Sequence, residues 1–96
     1  MKWLEVKNGS MVRWDLISEV FIENIWDSGR DKYTYTSNIR MMNGTEYRFL
    51  NTHPDIDREI LRKAHANALV ILEGHFEHCD HVDSISITPM ALKLIK

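Results

Sequence analysis

The sequence predicts an α+β fold: an antiparallel β-meander of about five strands with one long helix packed on one face, then a C-terminal strand or extended tail. Two Asn-Gly dipeptides, Asn8-Gly9 and Asn43-Gly44, each lie between runs of aromatic, β-branched and polar residues. This pattern is the strongest short-range signal of a β-hairpin. Apolar residues then recur at helical spacing after Pro54. A chain of 96 residues can bury one core, so we expect residues 1–96 to form a single domain.

The Asn43-Gly44 turn also predicts the register of its hairpin. A three-residue loop of Met42, Asn43 and Gly44 pairs Ile39 with Tyr47, whereas a two-residue loop sends these two side chains to opposite faces. Gly44 then takes the positive φ of a G1-type bulge. One face collects the residues expected to contact the helix: Tyr33, Tyr35, Ile39, Met41, Tyr47 and Phe49.

The first hairpin, by contrast, is consistent with a two-residue turn at Asn8-Gly9. This turn places Trp3 opposite Trp14. A cross-strand aromatic pair contributes about 0.2–1 kcal/mol to stability. The two rings indicate a cluster at or near the core more than an aromatic binding surface, because such rings mostly bury area.

Residues 18–26 are apolar on both faces of the strand that they predict. The alternation places Val20, Ile22 and Trp26 on one face and Phe21 and Ile25 on the other. Two-sided apolarity is typical of a central strand covered on both faces, or of a strand with one face covered by a partner subunit. β-branched and aromatic residues favour a strand here over a helix. The polar residues 27–31 predict an exposed, mobile loop.

The long helix is expected to begin near Pro54, with Thr52 as its cap. Gly74 either follows its last turn or lies within it, and His65 is expected on its exposed side. Residues 67–72 could also form a buried strand, but their continuous periodicity favours a helix. The predicted buried stripe consists of Ile56, Ile60, Ala64, Ala68 and Ile71.

The C-terminal segment predicts one more strand. Residues 82–88 alternate apolar with small polar side chains, which is typical of a half-buried strand, and Pro89 is expected to end it. Residues 90–96 then form an edge segment or a frayed tail.

Composition excludes several classes of function. A net charge of −2 argues against a nucleic-acid partner, because no basic excess can replace the counterions of a phosphate backbone. The single cysteine, Cys79, cannot form an internal disulfide, and no segment reaches membrane-spanning length. We therefore expect a cytoplasmic protein without a membrane partner. No catalytic constellation or cofactor motif is present, so we expect neither an enzyme nor a cofactor.

Two alternative functions remain open. Neutral imidazoles and a thiolate are good zinc ligands, and four such side chains fall within seven residues: His75, His78, Cys79 and His81. Their spacing matches no standard zinc motif, which favours a solvated polar connector or one half of a site that bridges a dimer. The second alternative is a single-stranded nucleic-acid binder that uses the aromatic sheet face, although the same aromatics are needed to cover the helix.

The remaining interpretation is a small non-enzymatic protein-interaction or regulatory module that binds another protein or itself as a homodimer. Its support is the two-sided apolarity of residues 18–26, which one helix cannot easily cover. Covering of the second face by the C-terminal segment is an equally weighted explanation. Phe21 and Trp26 are the expected anchors, with Ser28 and Arg30 in an adaptable rim.

Overall fold

The computed structural model describes residues 1–95, which form six strands, a 3-10 turn and two α-helices. In chain order these are β1 (Trp3–Glu5), β2 (Met11–Arg13), the 3-10 turn (Trp14–Leu16), β3 (Ile17–Asp27), β4 (Lys32–Met41), β5 (Glu46–Arg48), α1 (Arg58–Phe76), β6 (His81–Asp83) and α2 (Ser84–Lys93). The α+β class is confirmed. The single five-stranded meander is wrong, because these residues form two three-stranded sheets, ordered β2-β1-β6 and β3-β4-β5.

The hairpin of β4 and β5 has the predicted register. Ile39 lies opposite Tyr47, and the Met41 amide donates to the Thr45 carbonyl across a three-residue loop at 2.8 Å. Gly44 has a φ of 89°, the left-handed conformation that a side chain would oppose. The apolar pattern selected this register because a one-residue slip would have exposed Ile39, which is fully buried.

The register predicted for the first hairpin is wrong by one residue. Leu4 lies opposite Val12, and the Val6 amide donates to the Ser10 carbonyl, so this loop also has three residues and a left-handed Gly9. The longer loop places Leu4 and Val12, both buried, on the same face.

The predicted Trp3–Trp14 pair does not form. Trp14 leaves the strand in the 3-10 turn and packs on Phe76 of α1, with ring centroids 5.5 Å apart, while Trp3 lies opposite Arg13.

The predicted strand over residues 82–88 is mostly helix. β6 is three residues long and pairs in parallel with β1, and the Asp83 carboxylate then caps α2 by accepting from the Ile85 amide at 2.9 Å. Pro89 lies inside α2 and does not end a strand. The helical turn buries Ile87 and Ala91, a spacing of four that two-residue alternation had concealed.

Helix α1 begins four residues later than predicted. Asp57, not Thr52, is the cap, because its carboxylate accepts from the amides of Glu59 and Ile60 at 2.9 and 3.3 Å. The segment that contains Pro54 runs along β4 instead, where the Pro54 carbonyl accepts from the Tyr35 amide at 3.2 Å. The helix continues through residues 67–72, as predicted, and past Gly74.

The buried face of α1 is rotated from the predicted stripe. Ile60 is 42% exposed and His65 is buried, so both expectations were wrong. Ile56 precedes the helix and so does not belong to its stripe, and the face that carries Leu61, Leu72 and Phe76 packs on the core in place of Ile60. The buried residues are Leu61, Ala64, His65, Ala68, Leu72 and Phe76.

Candidate functional site

Strand β3 is an edge strand and not the predicted central strand. Among the described residues it pairs only with β4, and its eleven residues make it the longest strand there. We call β3 and β4 together the ribbon. Its near half, residues 17–21 and 36–41, packs against the core, whereas the ribbon end, residues 22–35, extends the sheet beyond it. The C-terminal segment belongs to the other sheet and to α2, so it does not pair with β3.

The ribbon end presents apolar side chains on both faces. On the face that carries α1, Trp26 and Tyr33 are 51% and 55% exposed and form an edge-to-face pair with ring centroids 5.0 Å apart. On the opposite face, Ile25 is 42% exposed beside the buried Thr34. Soluble chains rarely leave such a concentration of large apolar side chains in water without a binding role.

Phe21 and Trp26, the two predicted anchors, lie on opposite faces of β3. Phe21 is half-buried on the outer face, where the Arg40 guanidinium lies 4.7 Å from its ring centroid. Arg40 also pairs with Glu19 and with Glu46. Phe21 is thus held in a preset position by a cation of its own sheet.

The acidic residues of β3 have partners within the same molecule. Glu19 pairs with Arg40, and the Glu23 carboxylate accepts from the Asn38 side-chain amide at 2.8 Å. Both carboxylates lie on the outer face with Phe21. Both side chains therefore contact β4 of their own chain.

The turn between β3 and β4 places the two predicted rim residues in different environments. Ser28 is exposed, whereas Arg30 pairs with Asp27 at 2.9 Å and with Asp55 at 2.7 Å. Hydrogen bonds from Arg30, and next from Lys32, lower the pKa of Asp55 to about 2. Arg30 therefore joins the ribbon end to the segment before α1.

The predicted metal ligands are divided between two places. His75, His78 and Cys79 line a shallow depression of about 360 Å³ with Met90, whereas the His81 ring lies 3.2 Å from the Glu5 carboxylate on β1. In residues 1–95 no three His, Cys, Asp or Glu side chains are grouped to hold a metal ion. The four predicted ligands are therefore not brought together, and the metal hypothesis stays a prediction.

The aromatic sheet face is only partly open. Phe49 is fully buried and lies 5.8 Å from the His65 ring of α1, and Tyr35 and Tyr47 are half-buried. Only Tyr33 among these four is mostly exposed. Stacking of successive bases requires several accessible rings, so this geometry gives the nucleic-acid alternative little support.

A buried Ser–His pair, which the sequence reasoning missed, connects α1 to the sheet. The Ser37 hydroxyl accepts from the Leu50 amide at 2.9 Å and shares a second hydrogen bond with Nε2 of His65, 2.7 Å away, whose direction is set by the tautomer of the ring. Burial lowers the pKa of His65 to about 4, which keeps the ring neutral. Because Ser37 is fully buried, the pair is positioned to hold the fold together and not to meet a substrate.

One pattern in the sequence could have revealed this pair. Leu61, His65, Ala68, Leu72 and Phe76 recur at spacings of four and three, which places them on one helical face. In a helix that begins at Arg58, these five residues form the apolar stripe in place of the predicted isoleucines.

A groove with a volume of about 370 Å³ lies where the two hairpin ends meet. Its apolar lining includes Met11, Leu16 and Met42. Its one charged side chain, Arg13, is already bound to Asp15 at 2.7 Å. The groove therefore lacks the converging polar groups that usually define a ligand site.

Comparison with known proteins gives no match, either to a family model, to a curated protein or to a solved structure. Within residues 1–95, neither helix is long and apolar enough to cross a membrane. The function is therefore argued from geometry alone.

Proposed function

We propose that this protein is a non-enzymatic protein-interaction module that self-associates as a homodimer through the open edge of β3 and the ribbon end. The observation that carries this proposal is an eleven-residue edge strand whose exposed apolar residues lie on both of its faces. The free thiol of Cys79 suits the reducing cytoplasm, where we expect the dimer to act.

The edge of β3 lacks most of the features that keep edge strands from pairing. Natural edges are protected by proline, by charged side chains and above all lysine, by short length or by bulges. The three carboxylates of β3 are each bound within the same chain, Glu19 to Arg40, Glu23 to Asn38 and Asp27 to Arg30. β3 contains neither proline nor lysine, and its one irregularity lies between Ile17 and Glu19, at the end next to the core. The rest of the strand is open to pairing with another strand.

Strand pairing needs support from side chains to give a stable dimer. An interface of standard size buries about 800 Å² and about 20–30 residues on each partner. The eleven residues of β3 provide about half of that number. The side chains of the ribbon end, above all Trp26 and Tyr33, provide the additional apolar area.

Sedimentation velocity over a range of protein concentrations tests the proposal. We expect a monomer–dimer equilibrium that Ile25→Glu weakens at least about tenfold, because a carboxylate replaces an apolar contact in the interface. Val70→Glu is the matched control, since Val70 is 71% exposed on α1, away from the ribbon, and this change alters the net charge equally.

Two outcomes would overturn the proposal. One is a wild-type protein that stays monomeric up to millimolar concentration. The other is equal weakening of the dimer by both variants, which would place the contact away from the ribbon end.

A further inference from the structure

We infer that two copies of β3 pair antiparallel about a two-fold axis that passes through Ile22, to make one six-stranded sheet. This inference rests on the proposed function and adds the residues that meet. It follows from the direction of the backbone groups, from the positions of two carboxylates and from the length of the strand.

The hydrogen bonds of β4 show which groups of β3 face outward. Odd-numbered residues of β4 bond away from β3: the Tyr35 amide donates to Pro54, the Ser37 carbonyl accepts from Phe49, and the Met41 amide donates to Thr45. Because backbone groups alternate sides along a strand, the even-numbered residues of β4 bond toward β3.

The partners of those even-numbered residues are the odd-numbered residues of β3, from Glu19 opposite Arg40 to Asp27 opposite Lys32. The remaining residues of β3 therefore direct their N–H and C=O groups to the open edge. They are Val20, Ile22, Asn24 and Trp26.

Charge distinguishes the registers that use nearly the whole strand. An axis at Glu23 would place this carboxylate directly opposite its own copy, and an axis at Phe21 would place Glu19 opposite the partner's Glu23. Like charges directly opposite destabilise a strand pair. An axis at Ile22 instead places Glu19 opposite the partner's Ile25, and Glu23 opposite the partner's Phe21.

Length excludes larger shifts. An axis at Ile22 places all of residues 17–27 opposite the partner strand, with residues 19–25 in regular register because of the irregularity between Ile17 and Glu19. Moving the axis to Val20 or Asn24 would leave four residues of each strand unpaired. The central register thus gives the longest contact that keeps carboxylates apart.

The same register covers the exposed rings. Trp26 comes to lie opposite the partner's Ser18 and diagonal to the partner's Val20, within reach of a large aromatic side chain. On the outer face, Phe21 lies diagonal to the partner's Phe21 and to the partner's Ile25, so these rings and side chains can touch between the carboxylates. Opposite residues share a face in this pairing, so α1 of both copies lies on the same side of the joined sheet.

A cysteine scan reads the register directly. In a Cys79→Ser background, Phe21→Cys, Ile22→Cys and Glu23→Cys are each oxidised with diamide and followed by non-reducing electrophoresis. Hydrogen-bonded opposite residues have Cα atoms about 5.5 Å apart, within the disulfide range, whereas diagonal neighbours are about 7–8 Å apart. We therefore expect the Ile22→Cys variant to crosslink at least about tenfold faster than the Phe21→Cys or Glu23→Cys variant.

A second variant tests the backbone contact. Asn24→Pro removes an N–H that faces the open edge and is not part of the β3–β4 ladder, a position where edge strands tolerate proline. We expect the variant to remain folded by circular dichroism and to sediment as a monomer. A folded Asn24→Pro variant that still dimerises would overturn the strand pairing.

The outcomes separate this inference from the proposed function. If the protein dimerises but Phe21→Cys or Glu23→Cys crosslinks fastest, or none of the three does, self-association stands and the Ile22 axis is wrong. If wild-type protein does not dimerise at all, both are wrong.

Discussion

The two halves of the ribbon have the same alternation of apolar side chains but different surroundings in the fold. Both alternate apolar side chains along paired strands, yet Ile39 in the near half is fully buried and Ile25 at the ribbon end is 42% exposed. The difference lies in what packs beside them: Ile39 faces α1 and the core, whereas Ile25 lies at the ribbon end on the face that α1 does not cover. An apolar pattern therefore shows that a face needs cover and does not show whether the same chain supplies it.

The largest expected effect is a contrast between the same substitution in the two halves. Ile39→Ala is expected to lower the free energy of unfolding by about 2–5 kcal/mol, because it leaves a cavity in the core. Ile25→Ala is expected to cost only about 1 kcal/mol in the monomer, because 42% of the residue is already exposed to water. Urea unfolding measures both.

The comparison requires a concentration at which sedimentation shows only monomer, since dimerisation stabilises the folded state by mass action. Equal losses for the two variants would mean that the ribbon end is covered within the monomer. Such a result would remove the basis for the interface.

The next-largest expected effect is the pH dependence of stability that comes from His65, which is hydrogen-bonded to Ser37 in the near half. Because the pKa of His65 is about 4 when folded and about 6.5 when unfolded, the unfolded chain takes up the proton first as pH falls. Its contribution to stability is therefore complete above about pH 6.5 and is lost progressively down to about pH 4. The loss amounts to roughly 3 kcal/mol at most.

His65→Gln provides the matched control, since glutamine can accept the Ser37 hydroxyl proton but does not titrate. Urea unfolding over this pH range should show a steeper decline for the wild type than for the variant. Parallel curves would show that His65 is not buried as a neutral ring.

The smallest expected effect is the coupling between Trp26 and Tyr33 at the ribbon end. Their edge-to-face geometry predicts an interaction of about 0.5–1.5 kcal/mol beyond the area that each ring buries. A double-mutant cycle with Trp26→Ala and Tyr33→Ala in the monomer measures it. A coupling free energy near zero would mean that the two rings do not stabilise each other in the monomer, so that their arrangement matters only for contact with a partner.

The second hairpin shows what sequence reasoning can achieve here. The residues of its turn and the alternation of its apolar side chains both predicted the same register. Ile39, Tyr47 and Gly44 lie as predicted. In the first hairpin, the same Asn-Gly dipeptide fits two loop lengths, because apolar residues are adjacent in both short strands (Trp3 and Leu4, Met11 and Val12) and favour neither alternation. Local chemistry predicted the turn, but only packing against the core determined its register.

The candidate surface was predicted in part. The apolar alternation of residues 18–26 identified β3 and placed Phe21 and Trp26 on opposite faces, as observed. It could not predict that β3 is an edge strand, because the C-terminal strand β6 pairs with β1, far away in sequence. Such a parallel pairing leaves no local signal in either segment.

The sequence by itself determined the α+β class, both turns and the two-sided apolarity of β3, since each depends on residues close together in the chain. Only the tertiary structure decided which strands adjoin, where α1 begins and which of its faces is buried. Those features depend on the competition among distant segments for the same apolar surface. That competition leaves the edge of β3 unpaired within the described chain and the rings of Trp26 and Tyr33 about half exposed.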